Sequence, residues 1–427
     1  MKDKMIERLI KAESKRQKRV INLIASENYV SKDVLTALGS ELTNKYAEGY
    51  SAHRYYGGNE ISDQIENLCK ERALKLFGLK NSEWGVNVQA LSGSPANLAV
   101  YLALVPLGGK IMGMSLDHGG HLTHGHKVSM TGKAWQQVAY GVSKKNETLD
   151  YDEIEQIAKR EKPAIIVAGF TAYPRIIDWE RFRQIADAVV HPESGRRTLL
   201  MVDMSHLAGL VAGKVYPSPF PYADVVTTTT HKTLRGPRSA LIFSRKIPAR
   251  HLPVRATVIK GNASAKQSPR LISDLIDKAV FPGLQGGPHL NQIAAVAVTL
   301  QEAMRPEFKK YAKQIIKNTK ALADELARLG WRLVSGGTDS HLILVDTWMG
   351  GNPSTSLGAG GISGKVASDL LEKAAIIVNK NTIPFDTRSP IDPSGIRLGT
   401  AAETTRGKKE GEMKKIAQKI DKILKYA

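Results

Sequence analysis

Apolar residues recur along this chain with two alternating periods. Continuous runs rich in β-branched residues, at 110–116, 164–170, Leu199–Asp203 and 224–230, predict strands buried on both faces. Between them, residues 151–160 and 179–190 place their apolar positions at helical spacing. Strand and helix in alternation predict a mostly parallel sheet with helices on its faces, which binds ligands beyond the carboxyl ends of its strands. The pattern changes at FPGLQGGP, a Gly/Pro-rich turn beginning at Phe281, after which a long helical stretch is expected over 290–328. Strands at 341–346 and 376–378, with a helical patch at 366–375, then suggest a smaller α+β domain. The expected division is an N-terminal arm over 1–50, a large domain over 51–280 and a small domain over 281–427.

Composition narrows the class. With 427 residues, 42% hydrophobic and 24% charged, the chain has the make-up of a folded protein of two or three domains at about 150 residues each. No apolar run approaches the roughly 20 residues that span a bilayer, so no membrane partner is expected. The first twenty residues mix Lys2, Lys4, Arg8 and Lys11 with Asp3, Glu7 and Glu13, unlike a secretory signal, and a cytoplasmic location is expected. Cys69 is the only cysteine, which rules out an intrachain disulfide and a Cys-based zinc site. The formal charge is +20, and residues 245–270 hold seven basic residues with no acid among them. That segment reads either as a docking surface for a polyanion or as a solvated basic loop; a nucleic-acid partner is not expected. The Gly/Ser-rich stretch 350–364 is expected to be a loop. It is not a phosphate loop, because Ala359 and Val366 stand where that motif needs glycine and a hydroxyl residue.

Candidate chemistry begins with VVTTTTHKTLRGPR, where a strand delivers Lys232 to its carboxyl end. A lysine among hydroxyls and other cations can have a depressed pKa and act as a Schiff-base nucleophile. In LLMVDMSH, Asp203 ends a buried strand and is placed to pair with a protonated pyridine nitrogen, or to cap a turn. LSGSPAN opens a helix with Ser92, Gly93 and Ser94, which suits an anion and equally suits a routine helix start. HGGHLTHGH carries four histidines, but it lacks an HExxH pattern and its glycines point to a loop, so no metal is assigned. His121 is taken instead as a group that stacks on an aromatic ring. Tyr46, Glu48, Tyr55 and Tyr56 crowd NKYAEGYSAHRYYGG, a loop too rich in ionisable groups to be core. Arg397 in SGIRLGT is either a structural arginine or a bidentate clamp on a carboxylate.

Taken in order, LIASENYVS, LTNKYAEGY, RYYGGNE, SGSPAN, HGGHLTHG, VDMSHLAGLVA, TTTTHKTLRGPR, FPGLQGGP, VNKNTIP and SGIRLGT closely resemble the serine hydroxymethyltransferase family, over about residues 21 to 407. The resemblance implies an α/β fold of the fold-type I class that depends on pyridoxal 5′-phosphate (PLP). It also implies reversible conversion of serine and tetrahydrofolate to glycine and 5,10-methylenetetrahydrofolate, in a homodimer or tetramer with shared active sites. On this basis Lys232 would carry PLP, Asp203 would face its ring nitrogen, His121 would stack on the ring and His206 would lie near its phenolic oxygen. Ser92, Gly93 and Ser94 would hold the phosphate, with Tyr46 in the cofactor site and Gly286 and Gly287 contributed by a second subunit.

The same transfer gives Ser26 and Arg397 the substrate carboxylate, with Tyr56 reaching in from the other chain, and makes Glu48 the acid/base near the serine hydroxyl. Thr229 and His231, beside the lysine, would tune specificity. Leu116, Gly120, Leu122, Asn381, Ser389, Pro390 and Ile391 would contact folate. Thr171 and Pro174, in GFTAYPR, stand where the family commonly has serines. Within PLP chemistry the competing reading is a threonine or phenylserine aldolase, which has no need of folate.

Overall fold

The computed structural model describes residues 1–252, 271–348 and 361–425. Most of the basic segment 245–270 and of the Gly/Ser stretch 350–364 lies outside the described residues. By internal packing the chain divides into two units, one of residues 28–171 and 176–313, the other of residues 1–27, 172–175 and 314–427.

The larger unit is built on seven strands: β1 (Trp84–Asn87), β2 (Lys110–Met114), β3 (Gln136–Tyr140), β4 (Ile165–Ala168), β5 (Leu199–Asp203), β6 (Val225–Thr229) and β7 (Ala240–Arg245). They lie in the order β1-β7-β6-β5-β4-β2-β3, and every neighbour pair is parallel except the two made by β7. All residues of β4, β5 and β6 are buried, as expected of central strands covered on both faces. The reading of alternating apolar runs as a mostly parallel sheet therefore holds, and β5 begins and ends where the sequence placed it.

Helices fill the crossovers and their starts are chemically specified. Asp150 caps Tyr151–Glu161 by accepting from the Glu153 amide, and Asp178 caps Trp179–Ala188 by accepting from the Arg181 amide. The Gly93–Leu104 helix carries Pro95 in its first turn, where a missing N–H is tolerated. It buries Ala96, Ala99, Val100, Ala103 and Leu104 in the core formed with Ile111, Ile165, Val167, Leu199, Met201 and Val225. The expected continuous helix over 290–328 is instead two helices, Leu290–Ala303 and Pro306–Arg328. Proline lacks the N–H that an uninterrupted ladder would use, so the break falls just before Pro306.

In the smaller unit four strands, Arg332–Leu333, Leu342–Asp346, Gly395–Gly399 and Asn379–Asn381, form an antiparallel sheet in that order. Its core contains Leu23, Leu322, Leu326, Ile343, Ile396, Leu398, Met413 and Ile420. Ile376–Ile377 pairs in parallel with Ile21–Asn22, so the N-terminal segment is stitched to a strand more than 350 positions later. Asn22 adds a buried bond from its amide to Glu403.

Candidate active site

The carboxyl ends of β5 and β6 carry Asp203 and Thr229, and the turn after β6 carries Lys232. Asp203 is 9% exposed and accepts three hydrogen bonds from within the chain. Oδ2 receives Asn97 Nδ2 at 2.9 Å and contacts His124 Nε2 at 3.2 Å, and Oδ1 receives the Ser205 amide at 3.0 Å. Burial pushes this carboxyl up. The His124 hydrogen bond and the nearby charges of His124, Lys232 and His121 outweigh that, and hold Asp203 well below the usual carboxylate range. Asp203 is therefore a buried anion close enough to Lys232 to feel its charge.

The network continues outward from Asp203. Asn97 Oδ1 accepts from Thr227 Oγ1 at 2.8 Å, which fixes the amide so that its NH₂ faces Asp203 and Thr123. Ser205 Oγ accepts from the Thr229 amide at 3.0 Å, tying the two strand ends together. Thr233 Oγ1 donates to the His206 carbonyl and accepts from the Gly209 amide. The Lys232 carbonyl accepts from Asn28 Nδ2 at 2.9 Å. His231 is pushed down to about 3 by burial and by the charges of Lys232 and Arg238, so it is neutral at physiological pH.

Ser92 and Gly93 meet this cluster through close packing. A Cβ on Gly93 would stand 2.7 Å from Thr229 Cγ2, so only glycine lets the helix start approach β6 so closely. Ser92 is the N-cap, its hydroxyl makes no capping bond, and the first turn contains no acid. An uncommitted hydroxyl and free first-turn N–H groups suit a phosphate. The residues present therefore fit PLP: a carboxylate kept ionised for a ring nitrogen, a lysine at the neighbouring strand end and an anion-accepting helix start.

His121, preferred from the sequence as the stacking residue, bonds Thr123 Oγ1 through Nδ1 at 2.7 Å, and its ring centroid lies 5.6 Å from that of His124. Asn97 and His124, which touch Asp203 directly, were not singled out from the sequence. For Asn97 the signal was its place one turn inside the SGSPAN helix; for His124 it was the three-residue spacing from His121. Thr171 holds this loop in place, donating from its amide to the Gly119 carbonyl and from Oγ1 to the Gly120 carbonyl. Leu116 starts a short turn, a Cβ on Gly120 would overlap Met114 O, and Leu122 is exposed.

A second cluster gathers on the hairpin Gly49–Tyr50/His53–Arg54. Tyr46 Oη donates to Glu48 Oε1 at 3.3 Å and Tyr56 Oη to Glu48 Oε2 at 3.2 Å, with the two rings edge-on at 5.5 Å. The bond to Glu48 pushes the Tyr56 phenol up. Gly286 and Gly287 flank the same groups, since a Cβ on Gly286 would lie 3.4 Å from Glu48 Oε1 and one on Gly287 3.5 Å from the Tyr46 ring. Among the described residues none of these side chains hydrogen-bonds Asp203 or Ser92.

In the smaller unit, Arg397 donates from Nε to Asn379 Oδ1 at 3.0 Å, and burial pulls its guanidinium down to about 10. A Cβ on Gly399 would stand 2.4 Å from Ala25 Cα, so glycine there brings the backbone leading to Ser26 against the strand that carries Arg397. Asn381 lies on the neighbouring strand. Ser389, Pro390 and Ile391 form an exposed loop pinned by Lys380 Nζ on the Ile391 carbonyl and by Arg388, whose guanidinium lies 4.0 Å from the Trp348 ring centre.

Comparison with known sequences identifies the family. The family model described as serine hydroxymethyltransferase matches residues 1–420. The chain is 51% identical over 411 residues to a protein of Acidobacterium capsulatum named serine hydroxymethyltransferase, covering 96% of this chain and 86% of that one. It is 50% identical over 421 residues to a protein of the same name from Acidothermus cellulolyticus, covering 99% and 88%.

Proposed function

Because the chain belongs to the serine hydroxymethyltransferase family, we propose that its Asp203–Lys232 cluster and its Glu48 hairpin divide the work of that family's reaction between them. The enzyme interconverts serine and tetrahydrofolate with glycine and 5,10-methylenetetrahydrofolate, using PLP. When bound, PLP supplies an electron sink conjugated to the amino acid's Cα. Asp203 would hold a proton at the ring nitrogen, and stays ionised because the His124 hydrogen bond and the charges of His124, Lys232 and His121 outweigh its burial. Lys232 carries the amine that would bind the cofactor aldehyde. Ser92, Gly93 and Ser94 would hold its phosphate at the helix start, His121 would stack on the ring and His206 would serve the phenolic oxygen.

Glu48 moves the proton at the serine hydroxyl, with Tyr46 and Tyr56 orienting its two oxygens. Arg397 and Ser26 bind the carboxylate, while Thr229 and the neutral His231 tune specificity at the lysine. Leu116, Gly120, Leu122, Asn381 and Ser389 to Ile391 contact the folate. The single observation that carries this reading is the buried Asp203 anion at a strand end beside Lys232.

A homodimer with shared sites is part of the same reading, and two features support it. Tyr46, Tyr55 and Tyr56 are 57%, 72% and 50% exposed, and the Lys4–Arg19 helix shows Met5, Ile6, Leu9 and Ile10 to solvent with no buried residue. Because Tyr56 bonds Glu48 in one protomer, a Tyr56 supplied to the partner's site carries Glu48, Tyr46, Gly286 and Gly287 with it. A cytoplasmic location completes the reading; no helix among the described residues is long and apolar enough to cross a membrane.

The test uses the purified holoenzyme. Serine cleavage should accelerate strongly on adding tetrahydrofolate, and Lys232→Ala should lose both turnover and the visible absorbance of bound PLP. Rapid cleavage of allo-threonine with no response to folate would move the assignment to an aldolase.

A further inference from the structure

Behind Glu48 lies a polar network that the reaction does not use directly. Arg54 donates from Nη1 to two carbonyls, Ala47 O at 2.9 Å and Gly49 O at 2.7 Å, those of the residues on either side of Glu48. Its other nitrogens are anchored, Nε to Asp63 Oδ1 and Nη2 to Glu66 Oε2, both at 2.8 Å. The Arg54 side chain is 4% exposed and that of Glu66 is fully enclosed.

Gln89 closes the ring by donating from Nε2 to both Gly49 O and Glu66 Oε2. Lys70 Nζ lies 2.6 Å from Glu66 Oε1, and Asp63 Oδ2 takes the Ala52 amide at the hairpin tip. Gly49 has φ +93°, and a Cβ there would meet His53 O at 2.3 Å, so the backbone beside Glu48 occupies a conformation that only glycine accepts.

A buried guanidinium with two carboxylate anchors is a rigid fork, which an ammonium cannot reproduce. Glu48 itself is half-buried between buried Ala47 and Gly49, on a loop whose two tyrosines are at least half exposed, and loops hold their side chains loosely unless something fixes the backbone. We propose that Arg54 is a positioning residue: anchored by Glu66 and Asp63, it holds the carbonyls of the residues on both sides of Glu48 and so sets the aim of the Glu48 carboxylate. The inference rests on the acid/base role given to Glu48 above. A carboxylate freed to wander by about 1 Å forfeits much of its catalytic advantage, on the order of 100-fold at the extreme.

The experiment is a double-mutant cycle on the holoenzyme, reading kcat and KM for folate-dependent serine cleavage in wild type, Arg54→Lys, Glu48→Gln and the double variant. Arg54→Lys should lower kcat roughly tenfold or more with serine KM and the bound-PLP absorbance unchanged. In the Glu48→Gln background the same change should cost less than about twofold, because nothing remains to aim. If Arg54→Lys does not fold, Asp63→Ala, which removes the Nε anchor and the acceptor of the Ala52 amide but leaves Glu66 on Nη2, takes its place in the cycle. Equal losses in both backgrounds, or no loss of kcat, overturn the clamp while leaving Glu48 in its role. A Glu48→Gln enzyme at the wild-type rate overturns that role, and the clamp with it.

Discussion

Around Asp203 every hydrogen bond is made inside the chain and out of water, whereas around Glu48 the two phenols that donate are at least half exposed. Both clusters are built from a carboxylate and its donors. At Asp203 burial and charge oppose each other strongly, and the folded chain supplies enough donors and cations to keep the anion. At Glu48 the rings are left facing solvent, and what the chain fixes is the backbone underneath, through Arg54. The first region is a finished electrostatic site; the second is a rigid platform whose phenols face solvent.

Asp203→Asn is the substitution that breaks the comparison most severely. Whichever way the new amide turns, its NH₂ meets a donor: Asn97 Nδ2, which cannot turn over without giving up the bond to Thr227, or the Ser205 amide. Turnover should fall on the order of 10³-fold, as when a preorganised electrostatic partner is removed. Because the mismatch is buried, the urea midpoint should fall as well, by about 2 kcal/mol in stability. An unchanged midpoint would mean that the network around Asp203 is looser than its distances state.

Glu48→Gln is the complementary case. Removing an acid/base should cost on the order of 10²-fold in kcat. Glu48 is half-buried and the two phenols bonded to it are at least half exposed, so the thermal midpoint should stay where it was. Loss of rate without loss of stability at Glu48, against loss of both at Asp203, is the sharpest form of the contrast.

Sharing between subunits can be tested by mixing. Lys232→Ala and Glu48→Gln chains are each expected to be slow alone. If Glu48 serves the partner's site, unfolding and refolding them together gives hybrids with one intact site, and about a quarter of wild-type turnover should return. Hybrids no faster than the average of their parents would place Lys232 and Glu48 in the same protomer's site.

The contrast also explains what could be read from the sequence. The strand Leu199–Asp203 was legible because five buried positions in a row leave no other pattern, and Lys232 because β-branched residues run directly into it. Strands β1, β3 and β7 were not identified. β1 reads WGVN with no apolar run, and β3 lies at the sheet edge with Gln136 and Ala139 exposed, so neither carries a buried-strand signature. The helix break before Pro306 was masked by apolar spacing that continues across it. In the site, residue types with one obvious chemistry were found, while Asn97 and His124 were passed over because an amide and a second histidine matter only once the fold turns them toward Asp203. Arg54 lay inside a quoted motif, yet its importance comes from three-dimensional convergence on two peptide oxygens.

Beneath the hairpin, Asp277 offers the mildest test of the same comparison, a carboxylate that has burial without enough compensation. Its carboxyl is pushed up to about 6, first by burial; the Asn87 bond and Lys70 pull it back, and Glu66 and Asp274 push it further up. A raised folded-state pKa means that the folded chain keeps a proton which the unfolded chain releases near its ordinary value of 3.8. The resulting stability is therefore fully present below that value and is lost as pH rises through about 6. Asp277→Asn keeps an acceptor for Asn87 and removes the charge. It should match wild type in urea midpoint at acid pH and exceed it by about 3 kcal/mol in stability at pH 8. The hairpin carbonyls held by Arg54 do not bond Asp277, so kcat should be unaffected, and a gain in stability bought at the expense of rate would show that the hairpin needs this charge.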